Sequence, residues 1–217
     1  MAVMNLIFDL DGCLIDSKEV QRSAYYGSYA EIVGDDNCPP FAEYLKHTGD
    51  SLPNIFRKMG LPVELADPYR RISNAAVGKI IVNHECIALV RKMKAAGSKV
   101  AICTGKDHYR TVDILKYHHI EDCFDVIVAS DDVSEPKPSA MPVLKAISEL
   151  SVDKDSCILI GDGYNDIISA KAAGVEVVLT LWYGDEGVPR EADHTVDSVD
   201  ELAKLLEELE RQKSNCC

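Results

Sequence analysis

Two carboxylates, Asp9 and Asp11, close the apolar run Leu6-Ile7-Phe8, and Gly12 follows at once. Side chains two apart on a strand share a face, so both acids are expected to point together out of the strand's carboxyl end. Like charges at that range need a cation or a shared proton to coexist. An all-oxygen site with room for water and phosphate suits a hard divalent ion, Mg2+ above all. Taken alone, the stretch reads equally as a strand running into a solvated acidic turn. Three later segments change that balance. Val100 to Cys103 runs into Thr104-Gly105-Lys106, a hydroxyl beside backbone amides that can nest an anion. Lys137 stands between Pro136 and Pro138 ahead of a helical pattern, and Cys157 to Ile160 runs into Gly161-Asp162-Gly163-Tyr164-Asn165-Asp166. Each has a plain structural explanation: Thr104 as a turn or cap, Lys137 as a solvated charge, Asp162 and Asp166 as acids at a helix start. Acids, a hydroxyl, a lysine and further acids at successive strand ends are, together, the set that phosphoryl transfer needs. A carboxylate attacks phosphorus and a metal bridges nucleophile and phosphate. Lysine and hydroxyl hold the equatorial oxygens, and a second acid protonates the leaving oxygen.

These side chains can meet only if the strands that carry them lie side by side. From His84 onward, helical and strand patterns alternate: helices over about 86–96, 108–117, 139–150 and 165–173, strands over about 99–103, 126–129, 157–160 and 175–179. The apolar runs are short, β-branched and unbroken, as for parallel strands covered on both faces. Such alternation predicts an α/β fold with a doubly wound parallel sheet, whose binding crevice lies at the carboxyl ends of the strands. A last helix over about 199–211 is expected to turn Leu202, Leu205, Leu206 and Leu209 inward. Between Asp16 and Val82 the spacing is helical, with segments 18–32, 41–46, 52–59 and 69–80 and no convincing strand. The chain therefore divides into an α/β core domain, 1–15 and 84–217, and an inserted α-helical cap domain, 16–83, placed to hinge as a lid.

The 217 residues, 47% of them hydrophobic, suffice for one good core with an insert. A formal charge of −13 argues against nucleic acid or an acidic membrane surface as partner. The eight cysteines form no CxxC pair, and Cys103 and Cys157 sit inside apolar runs as small core residues. No stretch approaches the ~20 apolar residues of a membrane span. A soluble, cytoplasmic protein is expected, working as a monomer or homodimer on a small phosphorylated metabolite, with Cys216-Cys217 as a disordered tail.

Over nearly its whole length the sequence resembles the haloacid dehalogenase-like phosphohydrolases. Phe8-Asp9-Leu10-Asp11-Gly12, Cys103-Thr104-Gly105, Lys137-Pro138 and Gly161-Asp162-Gly163-Tyr164-Asn165-Asp166 match that family's four motifs in order and at suitable separations. The resemblance implies that Asp9 is the nucleophile forming an aspartyl-phosphate, and that Asp11 is the general acid and then the base. It places Mg2+ on Asp9, the backbone carbonyl of Asp11 and Asp162, with Asp166 acting through water, and gives Thr104 and Lys137 to the phosphate, with Gly105 and Lys106 beside them as further substrate-binding residues. The helical insert resembles that of the subgroup containing phosphoglycolate phosphatases and β-phosphoglucomutases. Within it, Val33-Gly34-Asp35, Pro40 through Tyr44, His47-Thr48-Gly49 and Met59-Gly60-Leu61-Pro62 are similar to phosphatases associated with 3-amino-5-hydroxybenzoate synthesis. That similarity implies a sugar or amino-sugar phosphate as substrate.

Two departures stand out: Cys13 where many members have Thr or Val, and Val82-Asn83-His84 where Pro-Gly is common at the second hinge. A phosphosugar mutase is the near alternative, disfavoured because Gln21 stands where the β-phosphoglucomutases carry a histidine, and glutamine does not titrate. A phospho-aspartate receiver module also uses Asp, Thr, Lys and Mg2+, but such domains resemble about half this length and lack the insert. Selectivity is expected from Asp16, Lys18, Glu19, Arg22, His47, Ser51 and Asn54 on the insert and from Lys106 and Arg110 on the core, with Lys106 foremost because Thr104 fixes it.

Overall fold

The computed structural model describes residues 3–34, 36–184 and 191–215. Asp35 and the Cys216-Cys217 pair lie outside them. The elements run β1 (Asn5–Phe8), β2 (Ile15–Asp16), α1 (Lys18–Ile32), α2 (Phe41–Leu45), α3 (Leu52–Lys58), α4 (Ala66–Ala75), β3 (Ile81–Val82) and α5 (His84–Ala95). They continue with β4 (Val100–Cys103), α6 (His108–Tyr117), β5 (Val126–Val128), α7 (Met141–Leu150), β6 (Cys157–Gly161), α8 (Tyr164–Ala173), β7 (Glu176–Thr180), β8 (His194–Val196) and α9 (Val199–Asn215).

Six strands form one sheet in the order β5-β4-β1-β6-β7-β8, and every pairing in it is parallel. The pleat decides what each residue touches. Leu6 and Phe8 join a cluster with Ile87, Val90 and Met93 of α5, Leu115 of α6 and Leu202 and Leu206 of α9. Ile7 points the other way, to Val143 and Ala146 of α7 and Ile167 and Ala170 of α8. Both faces are thus covered, which is why the strands are unbroken apolar runs rather than alternating ones. Leu202, Leu206 and Leu209 are buried, while Leu205 is only partly so and packs at the cluster's edge. Cys103 and Cys157 are buried and unpaired.

The helices α1 to α4 build a third cluster of their own, in which Tyr25, Tyr29, Phe41, Tyr44, Phe56 and Tyr69 pack on Leu52, Ile55 and Leu65. The hydroxyls of Tyr44 and Tyr69 meet at 2.8 Å, so both rings are buried with their polar tips satisfied. Helix α4 begins three residues before the expected start and ends at Ala75, a 3-10 turn covering Val77–Lys79. Pro68 falls in its first turn, where the N–H that proline lacks has no partner to lose.

Three strands depart from the expected set. β2 and β3 pair antiparallel, Ile15 with Val82 and Asp16 with Ile81, where the chain leaves the sheet and returns to it. Asn83 N–H also donates to Leu14 O at 2.9 Å, and Asn83 Oδ1 accepts from Cys86 N–H to cap α5. The Val82-Asn83-His84 connection is therefore a clamped ribbon. β8 adds a sixth strand at the sheet's edge, with Asp193 Oδ2 accepting from Val177 N–H at 2.9 Å. Two- and three-residue strands are too short for a periodicity to register. Among the described residues no helix is long and apolar enough to cross a membrane.

Candidate active site

β1 lies between β4 and β6, so the strand ends that carry Asp9, Thr104 and Asp162 are neighbours by sheet order alone. Asp9 N–H donates to Ile160 O at 2.8 Å, and Thr104 N–H donates to Val128 O at 3.0 Å, which fixes both residues as the ladder ends. Lys137 arrives from the segment after β5 and is completely buried. Its Nζ donates to Asp9 Oδ1 at 2.7 Å, to Asp166 Oδ1 at 2.5 Å and to Cys103 O at 2.9 Å. All three donors of the ammonium are thereby used. Asp166 is engaged at both oxygens, because Oδ2 accepts from Gly163 N–H at 3.1 Å at the start of α8.

Asp9, Asp162 and Asp166 each offer a carboxylate oxygen within 4.8 Å of the others. Burial pushes Asp9 up to about 7, further than the Lys137 charge draws it down, and Asp166 adds to the rise. Burial also drives Asp162 well above the carboxylate range, with Asp9 and Asp166 reinforcing it. Among the described residues no donor bonds to the Asp162 carboxylate. One lysine cannot balance three acids, and the donor set is carboxylate oxygen throughout. Both facts fit a hard divalent cation of the Mg2+ kind. A Cβ on residue 12 would stand 1.8 Å from Asp162 Oδ2, and φ there is +74°, so only glycine lets the loop after β1 close on that acid.

Asp11 lines the same cavity as Asp9, past the strand's end at Phe8. Its carboxylate is held by two partners: Oδ2 meets Lys106 Nζ at 2.9 Å and Oδ1 accepts from the Ser17 hydroxyl. Burial works to raise its pKa, but the Lys106 ammonium and the Ser17 hydrogen bond hold it below the usual range. Gln21 Nε2 donates to Ser17 Oγ at 2.8 Å, so the glutamine braces that network. Lys106 is thus paired with Asp11 on the cavity wall.

A cavity of about 570 Å3 opens between the sheet's carboxyl edge and the helical insert. Asp16, Lys18, Lys106 and Arg110 line it, whereas Glu19, Arg22, His47, Ser51 and Asn54 do not. Arg22 lies over the Phe41 ring, and Asn54 donates to Asp50 Oδ1 at 3.0 Å; both belong to the insert's own packing. The sequence reading passed over the residues that join insert to core. Asn165 Nδ2 donates to Thr48 O at 2.9 Å, Arg70 Nε to Asp107 Oδ2 at 3.2 Å, and Asn74 Nδ2 to Asp113 Oδ2 at 3.1 Å. No local pattern marks such residues, since each is defined by a partner tens of positions away.

Gly105 faces the insert as well as the phosphate loop. A Cβ there would lie 2.4 Å from Gly49 O and 2.7 Å from Asp50 O, both backbone atoms. Gly105→Ala should push the 48–50 loop off the site. Misplacement of about 1 Å in a catalytic assembly costs up to roughly a hundredfold in rate, so kcat/KM should fall roughly ten- to hundredfold, mostly through KM. Steady-state kinetics unchanged from wild type would show that the contact carries no function.

A parallel α/β sheet that gathers acids, a buried lysine and a threonine at its central strand ends, under a helical insert, defines a hydrolase of the phosphatase type. The sequence pattern of haloacid dehalogenase-like hydrolases matches residues 6–180, and the chain belongs to that family. It is 28% identical over 97% of its length to the whole of pyrophosphatase PpaX from Bacillus cereus (strain ATCC 10987 / NRS 248). Among solved structures, a predicted phosphatase from Clostridium acetobutylicum superposes with a TM-score of 0.82, at 25% identity over 96% of this chain and 100% of that one. CbbY from Rhodobacter sphaeroides, solved with phosphate, superposes at 0.80, with 24% identity over 92% of this chain and 96% of that one. Family membership sets the receiver-module alternative aside.

Proposed function

We propose that the protein hydrolyses a small phosphate monoester, of the sugar or amino-sugar phosphate class, through an aspartyl-phosphate on Asp9. One observation carries the reading: Asp9 and Asp166 share the buried Lys137 ammonium, with Asp162 within 4.8 Å of both. Asp9, the backbone carbonyl of Asp11 and Asp162 would hold Mg2+, with Asp166 acting through water, and the ion would offset charge between nucleophile and phosphate and polarise the phosphoryl oxygens.

The chain's own groups do the rest. An Asp9 oxygen attacks phosphorus as the ester oxygen departs, and the Thr104 hydroxyl, the Gly105 amide and Lys137 hold the phosphoryl oxygens. Asp11 gives its proton to the departing oxygen and then takes one from the water that opens the phosphoenzyme. Lys106 and Ser17 hold the Asp11 carboxyl below its usual range, and so ionised. An incoming phosphate dianion opposes them and favours the protonated form that a general acid requires. In this reading residues 16–83 form the cap over a core of 1–15 and 84–217. The protein acts in the cytoplasm as a monomer or homodimer, without nucleic-acid or membrane partners.

Gln21, hydrogen-bonded to Ser17 and unable to titrate, favours net hydrolysis over a mutase cycle. A turnover screen across phosphoglycolate, hexose and amino-sugar phosphates, nucleotides and pyrophosphate tests the proposal, with Mg2+ and with EDTA in its place. Turnover of at least one monoester should need Mg2+ and vanish with the chelator. Full activity in EDTA would remove the metal from the proposal, and no turnover of any ester would remove the function.

A further inference from the structure

At about 570 Å3, the cavity falls within the roughly 300–1,000 Å3 of pockets that enclose drug-sized ligands. Pyrophosphate or a two-carbon ester would leave most of it to water. The acids and Lys137 account for the phosphate end. The wall formed by α6 carries Arg110, whose side chain is 6% exposed.

Three features make that wall positive. Arg110 Nε at 2.7 Å and Arg70 Nε at 3.2 Å donate to the same oxygen, Asp107 Oδ2, so two guanidiniums share one carboxylate. Arg70's other acid, Asp67, has a side chain 92% exposed and neutralises little. Arg110 also sits in the first turn of α6, where a cation opposes the helix dipole and adds to its positive end. The Lys106 charge is already matched by Asp11.

The guanidinium is held rather than free. It lies 5.5 Å over the Tyr69 ring centroid, and Tyr69 is itself fixed by Tyr44. The hydrogen bonds it donates among the described residues, Nε to Asp107 and Nη1 to Ser73 Oγ at 3.4 Å, are fewer than its five N–H donors allow. A planar, oriented, incompletely satisfied guanidinium on a cavity wall is suited to bind a carboxylate or phosphate in bidentate fashion.

We propose that Arg110 is a specificity-determining residue, taking a second anionic group, a carboxylate or a second phosphate, on the part of the substrate remote from the scissile ester. The proposal rests on the phosphatase reading above and narrows its substrate class to phosphate esters larger than pyrophosphate that carry a second negative group.

The test uses matched pairs: 3-phosphoglycerate against glycerol 3-phosphate for the carboxylate, and fructose 1,6-bisphosphate against fructose 6-phosphate for the second phosphate. Hydrogen bonds to charged groups correspond to roughly ten- to hundredfold in affinity. Wild type should therefore prefer the doubly anionic member of at least one pair by that factor in kcat/KM, the pair identifying which anion is read. Arg110→Gln should erase the preference through KM while changing the singly anionic esters less than about threefold. Arg110→Lys, which keeps charge and bulk but not the fork, should retain part of it and serves if the glutamine variant does not fold.

Calorimetric binding of the same pairs to Asp9→Asn protein, with and without Arg110→Gln, reads the site without turnover. Turnover with no preference in either pair, or equal loss on all four esters, overturns the Arg110 assignment alone. A preference in binding without any hydrolysis keeps the assignment and overturns the phosphatase reading. Neither binding nor turnover removes both.

Discussion

Asp9→Asn protein should show no turnover above background on any ester that wild type hydrolyses, a loss of at least about a thousandfold in kcat. The substitution is nearly isosteric, and an amide oxygen can still accept from Lys137 Nζ, so the fold should persist. What disappears is the anionic oxygen that bonds to phosphorus. A second consequence separates this loss from damage to the fold. Burial raises Asp9 to about 7 in the folded chain, above the ordinary 3.8. An acid whose pKa is raised by folding favours the folded state least once pH exceeds the folded value, because its charge must then be carried in a buried site. Metal-free Asp9→Asn protein should therefore melt above wild type at pH 8, with the difference shrinking towards pH 4. Wild-type rates in protein shown by mass to be free of deamidation would end the assignment of Asp9 as nucleophile.

Asp9, Thr104 and Asp162 are legible because each follows an apolar run, and a parallel sheet aligns strand ends whatever the connections between them. Asp11 lines the same cavity as Asp9, but the strand ends at Phe8, and the groups that orient its carboxylate, Lys106 and Ser17, follow from no spacing rule. Lys106 is fixed beside Thr104, whose Oγ1 accepts from its backbone N–H, but its charge partner, Asp11, lies ninety-five positions earlier and no local pattern names it. Ser17, Arg70 and Asp107 carry no sequence signal, because their roles are set by how the insert lies on the core.

The fold was read with similar success and for similar reasons. α1 spans the expected Lys18–Ile32, since its apolar positions recur at helical spacing over four turns. β8 and the β2–β3 ribbon were missed, since segments of two or three residues owe their extended form to hydrogen-bonding partners rather than to local preference.

Lys137→Met should have the second large effect, and it reaches stability as well as rate. The ammonium is fully buried and touches Asp9 and Asp166, and their charges hold its pKa well above the lysine range against the opposing effect of burial. Removing one partner of a buried ion pair leaves the other charge uncompensated, at a cost of roughly 3–5 kcal/mol. Here Asp9 and Asp166 would lose the one cation both contact, with the Asp162 carboxylate within 4.8 Å of them. Asp9 and Asp162, already raised by burial, can respond only by taking up protons, so their folded-state pKa values must rise further. Acids raised in this way contribute no penalty below their unfolded values near 4, and a growing one as pH climbs through the folded values. The metal-free variant should accordingly be close to wild type in denaturant midpoint at pH 4 to 5 and fall increasingly behind by pH 8. Excess Mg2+ should recover part of the deficit, by supplying the missing positive charge and by binding only the folded chain. Activity should not recover with it, because the phosphoryl oxygens would lack their lysine donor and kcat should stay down by roughly a thousandfold. A pH-independent stability deficit would show that Lys137 supports the fold through packing of its alkyl stem rather than by balancing the acids around it.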